Sequence, residues 1–362
     1  LNYLGKPRDV MTLAHELGHG VHQVLAAGQG ELLSSTPLTL AETVLRVVGP
    51  RRPALAMSII GYITSIPVFC DSGFVILSSL NKALSKKTGV SMATMATALA
   101  TGLYATHTLV PPTPGPIAAA NNLHADLGTV IFIGLMVAIP VTIAGYLWAT
   151  KFASHYEVLA EASISYEDLI KQYKQLPGAF VSFLPLVLPI LLIGLKSVAA
   201  FPGQPFGTGL LKATLDFIGE PMVALLFGMF ACIPLVPKLN EEVMSGWIGQ
   251  GIKDSAAIIM ITAAGGSLGA LLAASKIADY LGTSLSTLNL GIFLPFLIAA
   301  ALKTAQGSST VALITTSAIV YPLLGSLGLD SPTGAVLATM AVGCGAMVVS
   351  HANDSYFWVV AQ

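Results

Sequence analysis

Charge is what this sequence has least of. Only 10% of its 362 residues are Asp, Glu, Lys or Arg, against about 25% in an ordinary soluble domain. A chain so poor in charge cannot clothe a large water-facing surface. With 54% hydrophobic residues and a mean hydropathy of +0.77 it reads as an all-α, polytopic membrane protein. The little charge present is balanced, 17 basic against 18 acidic residues, so no nucleic-acid partner is expected. Cysteine is nearly absent as well. Cys70, Cys232 and Cys344 are scattered through apolar stretches, and neither a disulfide framework nor a thiolate zinc site follows from them. No charged start followed by a short apolar core marks a signal peptide. The chain begins at Leu1 rather than Met and stops at Gln362 just past an apolar stretch, so it is expected to be cut at both ends, a fragment or a fusion of fragments.

What is present falls into two parts that meet near residue 43. Residues 1–43 are mixed in character and hold His15-Glu16-Leu17-Gly18-His19. Two histidines four apart on a helix share one face and suit a single zinc ion, with Glu16 placed to take a proton from metal-bound water. A third ligand is still required, and Glu42 lies 27 residues after His15. The run Asp9 to His19, together with Leu38-Thr39-Leu40-Ala41-Glu42, resembles the M3 family of zinc oligopeptidases, the oligoendopeptidase F group. That resemblance implies His15, His19 and Glu42 as metal ligands and Glu16 as general base. Some 43 residues are too few to bury a core, so no peptidase activity is expected from them. A helical hairpin without fixed metal is the alternative.

The remainder is a series of apolar segments. Pro53 to Leu80 is long and broken at Pro67 and at Asp71-Ser72-Gly73, with Arg46, Arg51 and Arg52 before it and Lys82, Lys86 and Lys87 after it. Positive charge at both ends of a broken segment suggests a re-entrant hairpin that enters and leaves on one side. The next segment runs from Val90 to Leu109 and ends in Val110-Pro111-Pro112-Thr113-Pro114-Gly115-Pro116, which no helix continues through. Residues 129–150 have the length and composition of a clean span. A charged linker, 151–178, divides a first half (44–150) from a second (179–362). Further spans are expected at 180–200, 219–236, 255–275, 286–303, 309–327 and 333–350.

The two halves show a weak repeat: a small, polar hairpin tip, then a polar break carrying a histidine. In the first half these are Val68 to Gly73 and Ala105 to Thr108; in the second, Ala305 to Thr310 and Val349 to Ser355. Inverted-repeat transporters place their binding sites at such paired discontinuities. Polar groups inside apolar spans are costly and tend to be functional. The candidate substrate contacts are therefore Asp71, Ser72, His107, Thr108, Gln306, Ser308, Ser309, Thr310, His351, Asn353 and Asp354. They suit a polyhydroxylated anion, with helix N-termini at the breaks offering donors to a carboxylate. Asp71, His107, His351 and Asp354 are candidates for proton exchange, since no Arg lies nearby in sequence to pair with the carboxylates. Each residue also has an ordinary explanation, as a turn or cap residue, a satisfied core histidine, or a hydroxyl bonded to its own helix.

Gly61 to Leu80, Tyr104 to Pro116, Ala305 to Val311 and Ser350 to Trp358 resemble the gluconate permease (GntP) family of proton symporters, with the family register starting near Arg46. The resemblance implies a multi-pass protein of the bacterial cytoplasmic (inner) membrane that moves gluconate or a related sugar acid with protons. It implies no cofactor for transport and leaves a homo-oligomer open.

Overall fold

The structure is a computed structural model that describes residues 43–45, 47–49, 52–66, 68–159, 179–200, 205–235 and 290–361, with Glu241, Ser267 and Leu271. His15, Glu16, His19 and Glu42 lie outside the described residues, as do most of the linker and nearly all of the expected span at 255–275. Every regular element among the described residues is helical.

The described residues of the first half include α1 (Pro53–Thr64), α2 (Cys70–Thr88), α3 (Met92–Leu109), α4 (Pro114–Asn122) and α5 (Leu127–Lys151). Local chemistry sets their ends. Prolines occupy the first turns of α1 and α4, where a missing N–H costs nothing. Ser91 caps α3 by accepting from the Ala93 amide, and Asp126 caps α5 by accepting from the Thr129 amide at 2.8 Å. Gly89 closes α2 in the left-handed region, φ 69°. The proline run does stop α3 at Leu109, and α4 starts again at Pro114.

One boundary differs from expectation. Asp71-Ser72-Gly73 is not a break: the chain leaves α1 at Ser65 and is helical again from Cys70. The Ser65 hydroxyl donates to the Val68 carbonyl at 2.8 Å and ties the turn. Asp71 then stands in the first turn of α2, where the exposed amides of a helix N-terminus favour a carboxylate.

Beyond the linker come α6 (Ala179–Ala199), α7 (Leu210–Ile218) and α8 (Pro221–Ala231), then α9 (Phe293–Gln306), α10 (Ser309–Val320), α11 (Pro332–Gly345) and α12 (Ser355–Ala361). The span expected at 219–236 is instead the later part of a helix pair bent by 70°. Pro221 cannot continue α7, so the chain turns through Gly219 and Glu220. Glu220 is held there by an ion pair with Lys196 of α6.

Helix α5, at 25 residues about 37 Å long, shows what solvent the bundle expects. Phe132, Met136, Ile139, Ile143 and Leu147 are exposed along it, and Trp148 and Phe152 stack near its end at 4.3 Å. An outward apolar stripe ending in aromatics suits a bilayer and its interface. Among the described residues, Leu127–His155 is the single stretch long and apolar enough to cross a membrane alone; α7 with α8 would make a second if taken together.

Packing follows the repeat. Helix α1 lies on α3, and α9 lies on α11. Both pairs approach closely through glycine: a Cβ at Gly61 would stand 2.7 Å from the Leu99 carbonyl oxygen, and one at Gly345 would collide with the Phe296 carbonyl. The helices that follow the breaks are exchanged between halves. Helix α2 packs on α12, and α10 packs on α4. All four breaks are thereby brought toward one region between the halves.

Candidate functional site

Lys303 is the centre of that region. It lies in the last turn of α9, after ten residues with no charge, and is fully buried at 0% exposure. A cation there meets the unpaired carbonyls of a helix C-terminus. Its ammonium donates to the Gly307 carbonyl and, at 2.6 Å, to Oδ2 of Asp354. Asp354 precedes α12 and is itself buried; its Oδ1 accepts from the Tyr356 amide at 3.1 Å. The Lys303 Nζ also stands 5.7 Å from the centre of the Tyr104 ring, within the range of a cation–π contact. Gly307 makes the turn possible. Its φ is +89°, and a Cβ there would run into the Asn353 carbonyl.

The first half supplies the facing wall. Asp71 accepts from the Ser355 hydroxyl at 3.1 Å and from the Cys70 thiol at 3.6 Å. Among the described residues it has no ion-pair partner. Tyr104 stacks on Tyr356 at 5.2 Å and on His107 at 6.4 Å. Its hydroxyl accepts from Ser350 at 3.3 Å, and Ser309 adjoins it. Phe69, at the end of the first break, lies 5.5 Å from His107. His107 is buried with its Nδ1 unpartnered, a costly arrangement unless something else bonds to it.

Several of the residues singled out from the sequence thus meet: Asp71, His107, Ser309 and Asp354 share one cluster. Others hold the loops that shape it. Gln306 folds over its own turn, accepting from the Ser308 amide at 3.0 Å, while the Ser308 hydroxyl caps α10. His351 and Asn353 both reach the Thr304 carbonyl, at 3.1 and 2.9 Å. Ser72 is partly buried beside Asp71. Two candidates are engaged elsewhere. The Thr108 hydroxyl bonds the Tyr104 carbonyl one turn back, and Thr310 lies against Gly115 of α4. The expectation that the carboxylates lack a cation fails for Asp354, because Lys303 reaches it across 51 positions. Sequence reasoning also missed Tyr104, Tyr356, Ser350 and Ser355. For Lys303 the signal was there, a lone ammonium at the end of an apolar run. For the tyrosines and serines only the fold reveals a role. No group of three or more metal-ligating side chains occurs among the described residues.

Residues 21–362 match the GntP family permease family. A gluconate permease of Pseudomonas aeruginosa is 33% identical over 89% of this chain and 72% of its own length. The inner membrane permease YgbN of Escherichia coli is 32% identical over 94% of this chain and 82% of its own. An uncharacterized permease of Haemophilus influenzae is 32% identical over 89% and 68%. No solved structure matches. The family match starts well before the junction expected near residue 43 and takes in Glu42, so the peptidase reading of the N-terminal segment gains no support.

Proposed function

This chain belongs to the GntP family of permeases, and from that premise we propose that it carries gluconate or a related sugar acid across the bacterial cytoplasmic membrane, with a proton moving alongside. The observation that supports the reading is the meeting of polar breaks from both halves at one buried, aromatic-lined cluster around Lys303. An apolar bundle has no packing reason to bury an ammonium and its carboxylate partner, with a second carboxylate nearby, at the junction of its repeats.

In this reading the substrate lies between the breaks. Its hydroxyls bond Ser309, Asn353 and the free Nδ1 of His107, while Tyr104 and Tyr356 offer ring faces to its carbon chain. The N-termini of α2 and α10 face it from opposite halves and favour a negative group. Asp71 or Asp354 takes up the coupled proton, because a carboxylate shut away from water is far cheaper neutral than charged.

The test is uptake of labelled gluconate into proteoliposomes under an imposed proton gradient. Concentrative uptake by the parent, abolished in at least one of Asp71→Asn and Asp354→Asn while exchange of internal for external gluconate persists, supports the reading. Accumulation by both variants equal to the parent refutes the coupling. No gluconate exchange by the parent refutes the transport assignment itself.

A further inference from the structure

The cluster holds two carboxylates, Asp71 and Asp354, and a single ammonium, Lys303. We propose that Lys303 is the receptor for the substrate carboxylate and that Asp354 is its internal competitor, so that the anion binds by taking Lys303 away from Asp354 and a proton must arrive to neutralise the carboxylate released. This deepens the transport reading above and rests on it.

Three features of geometry carry the idea. First, Lys303 is already engaged as it stands. Its ammonium has three N–H donors; one goes to Asp354 Oδ2 and one to the Gly307 carbonyl, and the face of Tyr104 lies beyond. A substrate carboxylate and Asp354 are acceptors of the same charged kind, so the two compete for the ammonium, whereas the Gly307 carbonyl is a neutral acceptor. Second, Asp354 sits on a segment able to let go. It belongs to the break between α11 and α12, residues 346–354, where His351 and Asn353 hold to the Thr304 carbonyl and Ser350 to the Tyr104 hydroxyl. Lys303 by contrast is fixed within α9. Third, the loop glycine Gly307 keeps the Lys303 end of the cluster clear: a side chain at that position would meet Asn353.

Counting charge gives the coupling. With both carboxylates ionised the cluster carries one net negative charge. A bound anion raises this to two in a site lined by Tyr104, Tyr356, Cys70 and His107, and among the described residues the ion-pair partner of Asp354 is Lys303. His351, the remaining titratable group nearby, contacts the Thr304 carbonyl. A proton delivered to Asp354 Oδ2 restores one net negative charge: an O–H bond forms on Asp354, its bond with Lys303 is lost, and Lys303 binds the incoming carboxylate. Asp71 has no exchange of this kind to make, since the Ser355 and Cys70 bonds do not depend on the substrate. Its negative charge makes a second added anion harder to accept and so strengthens the demand for the proton.

The experiment measures binding of gluconate, and of sorbitol as an uncharged polyol of equal carbon number, to the purified chain in nanodiscs at acid and alkaline pH. In the parent, gluconate binds more tightly at acid pH and is preferred over sorbitol. Asp354→Asn removes the competitor; gluconate affinity at alkaline pH should rise by about tenfold, a factor worth ~1.4 kcal/mol, and the pH dependence should disappear. Lys303→Gln combined with Asp354→Asn takes out both charges together, which spares the fold an unpaired ion, and should abolish the preference for gluconate over sorbitol. If Asp354→Asn instead weakens gluconate binding, or the double variant keeps the preference, the pair is structural and the proposal is overturned. If the parent binds no gluconate at either pH, the transport reading fails before this one is reached.

Discussion

The two halves of the molecule share a plan and divide the chemistry unequally. Each has a helix, a break and a second helix, followed by a helix, a second break and a short helix. The break after α1 is loose, with Ser65, Ile66, Val68 and Phe69 outside the helices, and is tied by one serine hydroxyl. The break after α9 is a tight turn at Gly307 and Ser308, closed by Lys303 on one side and Gln306 on the other. The first half gives the cluster a carboxylate without a cation, a histidine and a tyrosine. The second half gives it an ion pair. A repeated scaffold fixes where polar groups meet, and local divergence decides which half holds the charge and which shapes the space beside it.

The largest difference should therefore lie between Lys303 and Asp71. Lys303→Met leaves Asp354 buried beside an apolar side chain, and breaking one partner of a buried pair costs about 3–5 kcal/mol. Asp71→Asn removes no ion pair and keeps an acceptor for the Ser355 hydroxyl, so its cost should stay below ~1 kcal/mol. Thermal unfolding in a single detergent measures both. Equal destabilisation would mean that the halves carry charge alike.

The turns themselves come next. Gly307→Ala meets two obstacles, a left-handed backbone and the Asn353 carbonyl, and should lose about 1–3 kcal/mol together with gluconate binding. Ser65→Ala in the loose break loses one bond to Val68 and should cost no more than about 0.5–1.5 kcal/mol. A Ser65 variant as damaged as the Gly307 variant would show the first break to be as tightly specified as the second.

How far this arrangement was legible in the sequence depends on the range of the interaction. The breaks were readable because a polar residue or a proline run inside apolar helix is a local contradiction. His107, Ser309 and Asp354 were found in that way, and Asp71 was too, although the helix in fact resumes just before it. The 70° bend at Gly219 and Glu220 was missed because the apolar run of α8 masks the amphipathic α7 before it. The partner of Asp354 was missed because the search stayed close in sequence and considered arginine, whereas the pair is a lysine joined through the fold. The site's aromatic wall was invisible for a related reason. Tyr104 and Tyr356 are ordinary residues of apolar helices until α3 and α12 are laid side by side.

The smallest expected effects lie where the exchanged helices meet, and they also rank the halves. Helix α4 is bonded to α10 by Asn122, whose Nδ2 donates to the Ser317 hydroxyl at 2.9 Å and to the Ile314 carbonyl at 3.3 Å. Helix α12 is bonded to α2 by Ser355 and Asp71. Interhelical side-chain bonds in membrane proteins average about 0.6 kcal/mol, so neither alanine variant should be severe. They should not be equal, however. When Asn122 is lost, the Ser317 hydroxyl still donates to the Ile314 carbonyl at 2.9 Å, and nothing buried is orphaned. When Ser355 is lost, Asp71 keeps only the weak thiol donor of Cys70. Ser355→Ala should thus cost more than Asn122→Ala, and the difference should shrink in an Asp71→Asn background, where no charge is left wanting a donor. A double-mutant cycle on unfolding free energies reads this directly. Should Asn122→Ala prove the costlier, or the Ser355 effect persist unchanged without the Asp71 charge, the two crossings are alike and the inequality between the halves stops at Lys303.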